Sequence, residues 1–222
     1  MKNWIKIGGI AGIILIIAFI LSRYSSVVPG LAGLPIYISI FLGQLLYFLP
    51  IFIYLGFMFA AKKNDKRFLK IVSLLLVVSS AVFFVYYLVS TILFYSNLAF
   101  LNMRLMNTHL NSYVGYAYMA ISSITGILEL LFGIGLITFR KINKFAFITG
   151  IVILADFVMG MLLSGFIMVS LPPGEYTLPY YYHAITFLFN LGIILLETII
   201  LINLDKNSKK EKINKNNKKR KK

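Results

Sequence analysis

Six apolar stretches account for most of this chain, and each is long enough to carry a helix across a hydrocarbon layer of about 30 Å. They run from Trp4 to Leu21, Ile36 to Ala61, Ile71 to Tyr95, Tyr113 to Phe139, Phe145 to Ser170 and His183 to Leu204. Backbone amides and carbonyls in hydrocarbon must find partners within their own segment, so such stretches fold as helices. The expected architecture is therefore all-α: a polytopic membrane protein with six transmembrane helices. Residues 1–204 form one transmembrane domain and residues 205–222 a disordered basic tail. The composition agrees, with 59% hydrophobic against 13% charged residues, a balance outside the range of soluble domains.

The basic residues orient the spans. Lys2 and Lys6 precede the first, Lys62, Lys63, Lys66, Arg67 and Lys70 follow the second, Arg140, Lys141 and Lys144 follow the fourth, and ten more run from Lys206 to Lys222. Only Arg23 and Arg104 fall on the other face. Lys and Arg accumulate in short cytoplasmic loops, so an even number of spans with both termini cytoplasmic is expected, where five or seven would scatter the charge. The first span has the basic start and apolar core of a signal peptide, but no small-x-small site precedes Ser22, and it reads as a retained anchor. Gly8 and Gly12 within it form a small-xxx-small pair that permits close approach of another helix.

Three acids stand inside these spans, Glu129, Asp156 and Glu197, with no Lys, Arg or His at that depth to pair with them. A carboxylate at the bilayer centre costs about 3 kcal/mol on insertion scales, so such a group is expected to face a bundle interior or a polar path. Helical geometry supports this. Tyr118, Ser122, Thr125 and Glu129 fall within about 60° of one another, and Thr186, Asn190 and Glu197 within about 40°. Thr149, Asp156 and Gly160 share an equally narrow sector, with Gly160 and Ser164 thinning the fifth helix. All three acids sit between the bilayer centre and its inner half, and if they converge they cannot all stay ionised. The cluster is expected to hold a proton, a metal ion or a cationic ligand, with Asn190, Thr125 and Ser122 as auxiliary ligands. Glu197, closest to the inner surface, is the acid best placed to snorkel.

Other features are less specific. Pro50 lies near the middle of the second span, with Gln44 above it, where a hinge is expected. The outward segments VVPGLAGLP (27–35) and LPPGEYTLPYYY (171–182) read as a cap and an ordered turn, and 97–112 as a short interfacial helix. Tyrosines cluster at this outer boundary, as an aromatic belt or as a vestibule for an organic or cationic ligand. His109 and His183 lie there too. The Lys206 to Lys222 tail would attract anionic headgroups; it lacks the aromatics and folded module expected of a nucleic-acid binder.

The chain contains no cysteine, no H-E-x-x-H, no G-x-S-x-G and no Gly-rich phosphate loop, which excludes the enzymes built on them. No cofactor and no resident metal are expected. The function that fits best is a small transport or substrate-binding membrane subunit of a prokaryotic cell membrane, which could serve a larger importer with a partner membrane subunit or ATPase. The alternatives are a structural or assembly protein without a ligand and an intramembrane hydrolase using paired carboxylates.

Overall fold

The computed structural model describes residues 2–27, 36–99, 108–170 and 180–220, all of them in six helices and the tight turns between them. The helices are α1 (Lys2–Val27), α2 (Ile36–Lys63), α3 (Arg67–Ala99), α4 (Thr108–Thr138), α5 (Lys144–Ser170) and α6 (Tyr180–Arg220). Each contains a stretch long and apolar enough to cross a membrane. The helices extend past the apolar spans by up to a few turns, because a formed helix adds residues at little cost. The same propagation carries α6 through the Lys- and Asn-rich segment to Arg220, where composition had pointed to disorder. The segments 28–35, 100–107 and 171–179 lie outside the described residues. So do the side chains of His109, Ser164, His183, Tyr24, Tyr37, Tyr95, Tyr113, Tyr176 and Tyr180 to Tyr182.

Neighbouring helices in sequence touch in order from α1 to α6, and α6 returns to α1, so the six close into a ring; α2 also touches α6 across it. The buried core is not spread evenly around this ring. Ile5, Ala61, Leu69, Phe139, Ala146 and Leu204 belong to one cluster, which gathers the helix ends that carry the basic residues. Two short turns hold those ends. Between α2 and α3, Ala61 O accepts from the backbone N–H groups of both Asn64 (3.2 Å) and Lys66 (3.0 Å). Asp65 takes the left-handed φ of 52°, which a short polar side chain tolerates. Between α4 and α5, Asn143 Oδ1 caps the Phe145 N–H at 2.9 Å, while its amide donates to Ile200 O of α6 at 3.5 Å.

Close packing at this end runs through small residues. A Cβ on Gly8 would stand 2.8 Å from Phe52 O and 3.2 Å from Gly56 Cα of α2, and one on Gly12 would collide with Thr198 of α6. Thus α1 meets the backbone of α2 at Gly8 and the Thr198 side chain of α6 at Gly12, as its small-xxx-small pair allows. Helices α4 and α5 cross in the same way, with a Cβ on Gly150 only 2.5 Å from Gly133 O. Further from the basic end they separate. A Cβ on Gly126 of α4 or Gly160 of α5 would meet nothing within 4 Å. The bundle is closed at the basic end and open above it.

Gly12→Ala should therefore lower stability by about 1–3 kcal/mol through overpacking against Thr198, while Gly126→Ala should be neutral or slightly stabilising. Unfolding midpoints of the two variants in detergent compare them directly.

Candidate functional site

The wall of the open end is polar where the helices face inward. On α4, Phe132 and Leu136 are fully buried and mark the interior face. Glu129 lies within about 60° of both, and Ile127, which is exposed, points to the opposite side. The Glu129 side chain is nevertheless exposed. Its helical sector is thus that of the core-facing residues and not that of Ile127. Asp156 is half-buried on the α5 face that also carries the buried Thr149 and Ile153. Glu197 of α6 is deeper, at 4% exposure.

The three acids stand on the consecutive helices α4, α5 and α6. The Glu129 carboxyl lies within electrostatic reach of Asp156 on one side and Glu197 on the other. Tyr54 of α2, buried at 8% exposure, is within reach of both Glu197 and Glu129. Its ring meets Phe132 edge to face at 5.4 Å, and Phe57 meets the other side of Phe132 at 5.1 Å. These rings span from α2 to α4 across the ring and floor the open space. Tyr54, Glu129, Asp156 and Glu197 thus stand on four helices that border the same interior.

No hydrogen bond or ion pair among the described residues engages any of the three carboxylates. Buried hydroxyls nearby behave differently: Ser73, Thr149 and Thr198 each donate to the carbonyl one turn earlier on their own helix, at 2.7 Å. Such self-satisfied hydroxyls pack without needing a ligand.

The auxiliary residues are placed differently. Thr125 bonds to Ser79 of α3 as well as to Ile121 O, so it joins α4 to α3. Ser122 and Asn190 are half-buried on the acid-bearing faces, but each stands two turns, about 10 Å, from its acid along the helix axis. They belong to the wall above the floor. Pro50 lies one turn before Tyr54 on the same side of α2, and the helix continues through it. Glu197 is held inside the core rather than reaching for the surface, because Ile200 and Leu201 beyond it are fully buried.

Tyr54 and Phe132 were not evident as site residues from sequence. Tyr54 sits in a run with no acid or amide after Gln44, and only its partner across the ring gives it a role. Higher on the wall, Tyr47, Tyr87, Phe83 and Tyr118 make a continuous aromatic strip, with centroids 4.7 Å apart for Tyr47 and Tyr87 and 6.0 Å for Phe83 and Tyr118. No group of three or more His, Cys, Asp or Glu among the described residues is arranged to hold a metal ion. No protein-family profile, curated protein or solved structure matches the chain.

Because the chain has no cysteine, single replacements report access cleanly. Glu129→Cys should react readily with a water-soluble methanethiosulfonate added to the face opposite the basic loops. Glu197→Cys should react about tenfold more slowly or less, as a group closed off by packing, and lipid-facing Ile127→Cys should be unreactive to the same reagent. Equal rates at 129 and 127 would show that Glu129 does not open into the ring.

Proposed function

We propose that this chain is a multi-pass protein of a prokaryotic cell membrane, with both termini cytoplasmic, that binds and moves a proton or a small organic cation through an outward-facing cup. The orientation follows from the basic loops, which by the positive-inside rule belong in the cytoplasm and so turn the open end outwards. The observation that carries the reading is Glu129: an acid on the inward face of α4, open to the space inside the ring and coupled to a more deeply buried acid. A transported charge needs such a pair, one group to meet it and another beyond it within the closed part of the path.

The nature of the charge follows from what surrounds the acids. The carboxylates are spread over three helices rather than gathered into a metal-binding group, which disfavours an inorganic divalent ion. Aromatic rings stand beside and above them, and a ring face stabilises an organic cation by about 0.5–2 kcal/mol. A monovalent ammonium compound fits acids below and tyrosines above. In its absence a proton satisfies the same carboxylates, so exchange of one for the other would couple uptake to the proton gradient. Packing alone accounts less well for the acids, because no interhelical hydrogen bond uses them.

In proteoliposomes holding the full chain, uptake of a tetramethylammonium-class probe or proton flux monitored by an entrapped pH dye should fall about tenfold or more in Glu129→Gln and Glu197→Gln, a loss of roughly 1.4 kcal/mol or more. Asp156→Asn should reduce it less, since that group is only half-buried and couples through Glu129. Wild-type rates for both probes in all three variants would overturn the proposal.

A further inference from the structure

A second feature lies at the opposite end of the molecule and involves none of the carboxylates. A cleft of about 490 Å³ opens between the α4–α5 turn and the inner part of α6. Its wall is made by Lys144 and Lys206, by the amides of Asn143, Asn203 and Asn207, and by the apolar side chains of Ile142 and Phe145. Both lysines are exposed, whereas Asn143 is buried and fixed by its bonds to Phe145 N and Ile200 O. The cleft therefore has a rigid amide base and two cationic edges.

Its depth is set by two independent helices. The apolar span of α5 begins at Lys144 and that of α6 ends at Asn207, so the cleft sits where both leave the hydrocarbon. That is the level of lipid headgroups. The first turn of α5 also points its partial positive charge towards this level, which favours a negative group there. Lysine ammonium groups meet phosphate as charges, asparagine amides donate to its oxygens or bond hydroxyls, and the two apolar residues suit the glycerol and acyl carbons beside them. A buried acid, Asp205, lies next to Lys206 in sequence but does not line the cleft.

We infer that this cleft is a specific binding site for one anionic phospholipid headgroup, of the phosphatidylglycerol class, at the inner face. This differs from attraction of the tail to the membrane in general, because it requires defined residues on a folded surface and one bound molecule. A lipid held there would bridge the α4–α5 turn to α6, the helix that carries Glu197 nine residues before Lys206.

The test is lipid binding to the full chain in a neutral detergent, counted by native mass spectrometry, with short-chain phosphatidylglycerol and phosphatidylcholine as probes. One phosphatidylglycerol should bind in preference to phosphatidylcholine. Lys144→Gln with Lys206→Gln should weaken it about 30-fold, at roughly fivefold for each charge near the surface. The double Arg variant at the same positions should retain it, and so should Lys62→Gln with Lys70→Gln, which removes two exposed charges from the α2–α3 turn. Should the Gln pair not fold, Lys206→Gln alone, with its fivefold loss, carries the test. Equal binding of the two lipids, undiminished binding in the Gln variants, or an equal loss in the α2–α3 control would overturn the site. Displacement of the lipid by millimolar inorganic phosphate would overturn it as a lipid site and assign the cleft to a soluble phosphate.

Discussion

Helices in a bilayer gain little by burying apolar side chains against one another, since lipid tails are equally apolar, so close contact has to come from shape. Here it comes at one end. Gly8 and Gly12 set α1 against the backbones and side chains of α2 and α6, and Gly133 and Gly150 let α4 and α5 cross almost in contact. The turns capped by Asn64 and Asn143 lock the helix ends that these contacts bring together. With the ring fastened there, the helices diverge above it, and around Gly126 and Gly160 the interior is open. The cup is a consequence of where the small residues lie.

The position of the acids relative to that closure gives them different characters. Glu197 lies within the closed part, next to Thr198, which packs on Gly12, and one turn above buried Ile200 and Leu201. Glu129 lies at its upper boundary, level with the aromatic floor of Tyr54 and Phe132, and is open. Charge interactions strengthen as the surroundings exclude water, so a cation passing from one to the other would meet an increasingly strong field. Helix α6 joins this floor to the amide and lysine cleft at the inner face.

Much of the fold was legible from hydropathy because the bilayer leaves few options. All six spans stand in the structure as helices, and Gly8 and Gly12 were recognisable as a close-packing pair because nothing larger fits between adjacent backbones. The shared facing of Glu129 with Phe132, and of Asp156 with Thr149, likewise follows from a period of about 3.6 residues. Contacts between helices are less legible. Thr125 shares a stripe with Glu129, and its hydroxyl also meets Ser79 of α3, a contact that no single-helix pattern reveals.

What the sequence determined by itself was a set of one-helix properties: the apolar length of each span and the helical sector each acid occupies. These are fixed by helix pitch and by the cost of moving charge through hydrocarbon, neither of which depends on neighbours. Only the tertiary structure decided that the helices form a ring closed at the basic end, that Tyr54 and Phe132 meet across it, and that Glu129 opens inwards while Glu197 is sealed. Those outcomes depend on distances between helices, which are set by packing of residues far apart in the chain and leave no periodic trace within any one of them.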